Sequence, residues 1–333
     1  MTTPQGTLTP DELDRARGIL SAVSSSYGAR VVGQDGLRTS LLIALITGGH
    51  VLLESVPGLA KTTAAKALAE AVQASFRRIQ CTPDLLPSDI LGTQIYDYTK
   101  STFETQLGPV HANFVLLDEV NRSSAKTQSA MLEAMQERQT TIGGTLYPLP
   151  SPFLVLATQN PIEQEGTYQL PEAQLDRFLL KEVLDYPTFG EELEIIDRVD
   201  SGVYEEEPSE AAAATIDDVL FLQKAVGGVY LDPSIKNYIV SAVYVTRHPA
   251  TYLAPELAAC IEYGASPRAS IAFSKAARAL ALLEGRDHVI PEDVKRLRHV
   301  VLRHRIILNF EAIADDVKPE TIIDAVFAAI PAP

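Results

Sequence analysis

The chain reads as an α/β unit built on a parallel five-stranded sheet, joined to a smaller unit made of helices alone. From Val31 to Asp185, short β-type runs alternate with helical stretches, the pattern of a largely parallel sheet with helices on both faces. An acidic, Ala-rich segment from Glu205 to Ala214 then breaks the pattern, and from Thr215 onward only helical patterning remains. A length of 333 residues exceeds the size at which single cores stop growing, which also asks for two domains. The expected divisions are a helical segment over 1–30, an α/β domain over 31–186, a hinge or linker with a helix over 187–214, and a helical domain over 215–333.

The elements follow in order. Pro10 to Ser25 has Leu13, Leu20 and Val23 on one side, which predicts an amphipathic helix capped by Thr9 with Pro10 at its first position. The expected strands are His50 to Glu54, Phe76 to Gln80, Phe114 to Asp118, Phe153 to Gln159 and Leu179 to Asp185. Two β-hairpin inserts are expected between them: Gln94 to Thr105, broken at Thr99 to Ser101, and Thr140 to Leu149, turning at Gly143-Gly144. Beyond the linker, Asp232-Pro233, Ser266-Pro267 and Ile290-Pro291 mark helix starts, because proline tolerates the first helical position.

Composition narrows the partners. A formal net charge of −15 repels a phosphate backbone, so nucleic acid is not expected, although net charge says nothing of local basic patches. Cys81 and Cys260 stand far apart with no CxxC spacing, which indicates neither a disulfide framework nor a zinc site. The six histidines include no HExxH spacing. Met1 to Pro10 is polar, without the basic and apolar regions of a secretory signal, and no apolar run reaches bilayer length, so a cytoplasmic location is expected with no membrane segment.

Two segments carry chemistry. Ser55-Val56-Pro57-Gly58-Leu59-Ala60-Lys61-Thr62 lies between an apolar strand and a helical stretch that starts at Thr63, the order a phosphate loop requires. Backbone N–H groups there can surround an anion, Lys61 can reach the β- and γ-phosphates, and Thr62 would ligate Mg²⁺. Ser55 and Ala60 stand where the strict pattern has glycine; a positive φ at either would strain it by roughly 1–2 kcal/mol. A plain strand-to-helix turn is the alternative. Phe114 to Leu117 then delivers Asp118 and Glu119 to a strand tip, where open α/β sheets bind ligands. Mg²⁺ beside Asp118 would offset the paired charges and Glu119 would polarise an attacking water, against the alternative of an exposed strand end.

A longer set of motifs resembles the MoxR family of AAA+ ATPases. It comprises Asp118-Glu119-Val120-Asn121-Arg122 continuing to Leu132-Glu133-Ala134-Met135-Gln136-Glu137-Arg138-Gln139; Ala157-Thr158-Gln159-Asn160-Pro161 with Glu163 and Gly166; Leu170-Pro171-Glu172-Ala173 with Leu175-Asp176-Arg177-Phe178; and Gly264-Ala265-Ser266-Pro267-Arg268-Ala269. In that resemblance Ala60 is the family's usual residue, and the fold is a P-loop AAA+ core with a helical lid. The resemblance implies that Asn160 is sensor 1, orienting the lytic water, unless it only forms an Asx turn ahead of Pro161. Arg177 resembles the arginine finger acting on a neighbour's nucleotide, the alternative being a salt bridge with Asp176 or Glu172. Arg268 resembles sensor 2, touching the γ-phosphate of its own chain with ATP between the two domains, or else it is a surface residue. Gly33 and Gln34, after Val32, resemble the adenine-pocket segment, or form a plain loop. The family implies ATP and Mg²⁺ as ligands, a hexameric homo-oligomeric ring, and protein clients, von Willebrand A-domain proteins among them. A non-hydrolytic nucleotide-gated scaffold and a nucleic-acid translocase are the rival readings.

Overall fold

The computed structural model describes residues 8–161, 168, 170–203 and 212–333. Glu163 and Gly166 of the motifs, and the Glu205–Glu207 run of the linker, lie outside them. The sheet has five strands in the order Phe76–Gln80, Phe114–Asp118, Leu154–Gln159, Val51–Glu54 and Leu180–Val183, all parallel. Side chains alternate between its faces. Val51, Leu53, Phe114, Leu116, Leu154 and Leu156 enter one apolar cluster with the helices Pro10–Arg30, Asp35–Thr47 and Lys61–Ala71. Leu52, Val115, Leu117, Val155 and Ala157 enter the other with the helix Ala125–Glu137. The three inner strands, buried on both faces, read as unbroken apolar runs, whereas Phe76–Gln80 and Leu180–Val183 form the sheet edges and carry Arg77, Arg78, Gln80, Lys181 and Glu182. Three start one residue later than expected, after His50, Phe153 and Leu179, where the ladder begins, and the last ends at Val183, short of the expected Asp185.

The first helix runs to Arg30, beyond the expected Ser25, because Tyr27 extends its buried stripe of Ala16, Leu20 and Val23. Thr9 caps it with a reciprocal bond to Glu12, and Pro10 opens it. Both inserts are antiparallel hairpins, Gly92–Asp97 with Thr102–Leu107 and Gln139–Ile142 with Thr145–Pro148. They lie side by side, tied by Tyr147 Oη to Thr105 Oγ1 at 2.9 Å.

Helices start at Pro233, Pro267 and Pro291, as the proline positions require. The region after Thr215 is nevertheless not helical throughout. Ile261–Tyr263 pairs antiparallel with Ile307–Leu308, a ribbon too short to leave an alternating signature. Asn309 closes it, donating from its N–H to Cys260 O at 3.0 Å and from Nδ2 to Ala259 O at 2.7 Å. Cys81 is buried and Cys260 half-buried, both free thiols. Among the described residues, no helix is long and apolar enough to cross a membrane.

Candidate functional site

The phosphate-loop residues follow the strand Val51–Glu54 and lead into the helix Lys61–Ala71. Gly58 has φ 86°, and nothing stands within 4 Å of where a Cβ would be, so conformation rather than space requires glycine. Ala60 is left-handed at φ 51° and gives the helix no side-chain cap. The strain foreseen for a residue with a Cβ therefore falls on Ala60; Ser55 lies outside the left-handed region and donates its N–H to Gln159 O at 3.1 Å. The first N–H groups of the helix are left to face an anion. Val56, Pro57 and Leu59 complete the loop, Leu59 being buried against the core, while Thr62 and Thr63 are partly exposed on the first turn. Lys61 Nζ donates to Val56 O at 3.3 Å. Burial pushes its pKa down, and the charges of Asp118 and Glu119 act in the opposite sense.

Asp118 and Glu119 stand two strands away at the same, C-terminal, edge of the sheet. The strand between them and the loop holds both. Thr158, fully buried, donates from Oγ1 to Asp118 Oδ1 at 2.8 Å and accepts the Glu119 N–H at 2.8 Å. Asn160, also buried, directly follows this strand. Glu119 is left-handed at φ 56°, and its Oε2 accepts from Gln80 Nε2 and Arg122 Nη1, each at 3.1 Å. Sequence reasoning gave Asp118 only a metal as counter-charge. In the structure Arg78, from the outer strand, donates to Asp118 Oδ2 at 3.1 Å from Nε and 2.5 Å from Nη2. The signal for it was a basic residue on the strand neighbouring an Asp-Glu tip.

Gly33 and Gln34 are both left-handed, at φ 63° and 54°, just before the helix Asp35–Thr47. A Cβ on Gly33 would meet Glu191 Oε1 at 2.0 Å, so glycine lets this turn approach the helix Phe189–Asp200. Gln34 Nε2 donates to Asp185 O at 3.1 Å.

Arg177 and Arg268 are placed elsewhere. Arg177 precedes the strand Leu180–Val183, so it lies at the N-terminal edge of the parallel sheet, a strand length of about 13 Å from the loop edge. It is exposed, and among the described residues its side chain makes no hydrogen bond or ion pair. Asp176, the expected salt-bridge partner, is taken instead by Arg305 at 2.8 Å and by Ser266 Oγ at 2.7 Å. Arg268 opens onto the same pocket of about 310 Å³ as Arg177, together with His50, Arg138 and Lys275. The expectation that one chain closes Lys61 and Arg268 around one nucleotide is thus corrected. The reason is docking: Arg303 reaches Lys181 O at 3.2 Å and Arg305 reaches Leu179 O at 3.2 Å, which seats this part of the helical region on the outer strand and the turn before it. Gly264 fixes the approach to Arg268, since a Cβ there would stand 2.3 Å from Thr246 O.

Residues 50–180 match the family described as ATPase family associated with various cellular activities, and residues 254–326 match its lid domain. Chaperone MoxR1 of Mycobacterium tuberculosis is 49% identical over 91% of this chain and 79% of its own length. The chain belongs to the MoxR family of AAA+ ATPases. Protein MoxR of Paracoccus denitrificans is 32% identical over 91% of the chain and 93% of its own. The crystal structure of a protein assigned as an ATPase from Cytophaga hutchinsonii is similar with a TM-score of 0.90 and 46% identity, covering 97% of each chain.

The donor set of this MoxR chain fits Mg-ATP. An uncapped helix start, a lysine that feels the charges of two carboxylates, the Thr62 hydroxyl and the otherwise unpartnered buried Ser55 Oγ all gather at one edge. A hard cation takes oxygen donors such as Thr62 and Asp118. At the other edge, Lys275 is a further cation that sequence reading missed; its spacing of seven from Arg268 on the helix Pro267–Leu283 was the available signal.

Proposed function

We propose that the chain hydrolyses ATP where one protomer meets the next in a homo-oligomeric ring, and that the cycle remodels protein clients. The observation that carries this is the division of the site. Lys61, Asp118 and Glu119 occupy one edge of the sheet, while Arg177 and Arg268 occupy the other. One chain cannot bring both sets to a single phosphate, whereas a second copy stacked head to tail can. A head-to-tail contact that closes makes a ring, six copies being the family's size.

In this reading the loop 55–63 and the N–H groups of the helix start hold the phosphates, and Gly33 and Gln34 border the adenine. Thr62 and Asp118 would hold Mg²⁺, which would neutralise negative charge on the phosphates. Asp118 can turn from Arg78 to that cation without leaving Thr158. Glu119 orients and polarises the water, assisted by Asn160. Arg177 and Arg268 of the neighbour stabilise charge on the transferred phosphoryl group. Loss of those contacts on hydrolysis releases the packing between protomers, and residues 187–214 act as hinge between the domain 31–186 and the helical domain 215–333, beyond the segment 1–30.

Family membership supports a chaperone role, which is the role named for MoxR1, and the proposal places it in the cytoplasm. Von Willebrand A-domain proteins are the proposed client class, and nucleic acid is not expected as a partner. The test is kinetic. Glu119→Gln retains ATP and loses turnover, while Arg177→Ala binds ATP as the parent does and hydrolyses about 10³-fold more slowly or worse. Unchanged turnover in both variants overturns the assignment.

A further inference from the structure

The turn that carries Arg177 is gripped from the helical region by a buried arginine. The side chain of Arg305 is 2% exposed. Its Nε donates to Asp176 Oδ1 at 2.8 Å, its Nη2 to Phe178 O at 2.6 Å and Asp176 O at 3.5 Å, and its Nη1 to Leu179 O at 3.2 Å and Val301 O at 2.5 Å. The residues it holds lie on both sides of Arg177. Two neighbours tighten the same turn: His304 Nε2 meets Phe178 O at 3.2 Å, and Ser266 Oγ donates to Asp176 Oδ2 at 2.7 Å. The Ser266 hydroxyl also accepts the Arg268 N–H at 3.1 Å, capping the helix on which Arg268 stands. Asp176 therefore links the backbone of Arg177 to that of Arg268.

Stability alone does not ask for this arrangement. A buried ion pair is often matched or bettered by apolar side chains of similar volume. What a guanidinium adds is a planar set of donors that fixes several oxygens at once. Burial pushes the Arg305 pKa down, Asp176 counters it, and the nearby Arg268 charge adds to the cost. Apart from Val301 O, all the oxygens that Arg305 meets belong to the Arg177 turn.

We propose that Arg305 is a positioning residue for Arg177: it locks the turn 176–179 to the helical region, so that Arg177 and Arg268 meet the neighbouring protomer's triphosphate as one rigid unit. The inference rests on the reading of Arg177 as acting on a neighbour's nucleotide. It adds that the finger moves with the helical region of its own chain.

The test uses Arg305→Lys in the full chain, which keeps a cation but loses the planar fork. The expected result is a KM for ATP within about twofold of the parent and a kcat about 10²-fold lower, the scale of a misplaced catalytic group. Mixing separates positioning from general damage. Lys61→Ala is inert in its own loop yet carries an intact finger, so mixed rings of Lys61→Ala and Arg305→Lys regain turnover. Lys61→Ala with Arg177→Ala is the control and also regains it. Recovery in the control but not with Arg305→Lys overturns the role of Arg305. Recovery in neither overturns the reading across protomers, and this proposal with it. If Arg305→Lys does not fold, Asp176→Asn takes its place: it keeps the shape, removes the carboxylate that Arg305 and Ser266 hold, and gives the same selective loss of kcat and the same recovery. An unchanged kcat in Asp176→Asn overturns the proposal.

Discussion

Ala60 shows how a local departure from a motif is absorbed. It sits left-handed at φ 51° at the mouth of the helix Lys61–Ala71, where a Cβ costs roughly 1–2 kcal/mol. Ala60→Gly removes that strain but loosens the unfolded chain by about 0.4–1 kcal/mol, so a net gain of about 0.5 kcal/mol is expected. Denaturant unfolding reads it; a loss of stability would show the loop is not strained there. The sequence announced Asp118 and Glu119 because they end an unmistakable apolar strand, and Lys61 and Thr62 because they open the helix that follows another. Arg78 and Arg305 were missed because their roles arise from pairing between segments distant in the chain, whereas Lys275 could be read from its spacing from Arg268 on one helix. Arg305 meets Asp176 across 129 positions, and no local pattern encodes such a contact.

The helix Phe189–Asp200 and the helix Pro10–Arg30 make a useful contrast. The first carries Phe189, Leu193, Ile196 and Val199 at helical spacing, yet they are 79%, 49%, 55% and 57% exposed. The second buries Ala16, Leu20, Val23 and Tyr27 against the core. The double variant Leu193→Gln/Ile196→Gln therefore shifts the unfolding free energy of the isolated chain by about 1 kcal/mol or less, while Leu20→Ala costs about 2–5 kcal/mol. Equal losses would mean that the exposed face is covered within the chain. The sequence reading left a helix in 187–214 without bounds, although Thr188 and Glu191 hold the spacing of a reciprocal cap and do form one. The short ribbon of Ile261–Tyr263 was missed for the opposite reason: three residues leave no period to read.

Two neutral histidines brace the edge of the sheet that bears Arg177, and they set how the whole fold answers to acid. The ring of His50 accepts the Val155 N–H at Nδ1, 3.0 Å away, so its proton sits on Nε2 and faces Met135 O at 3.3 Å. Burial first, then the Arg138 charge, pushes its pKa down to about 3 from 6.5. His304 is likewise held well below its ordinary value, by burial and by Arg305. Below pH 6.5 the unfolded chain takes up protons that these rings refuse, so the stability they contribute is complete above that pH and drains away as the pH falls toward 3. For His50 alone the loss at pH 5 is about 2 kcal/mol, at 1.36 kcal/mol for each pH unit below 6.5. Glu182, whose pKa burial raises, works in the other sense, so a variant is needed to isolate the histidine part. His50→Gln cannot titrate and can still donate toward Met135 O. Between pH 7.5 and 5 its unfolding free energy should fall by about 2 kcal/mol less than that of the parent. A parallel decline in both proteins would mean that His50 is already charged, or solvated, in the folded state. Because the same edge presents Arg177 and Arg268, acid should loosen the turn 176–179 before it reaches the phosphate loop, so turnover should fall with pH ahead of ATP binding.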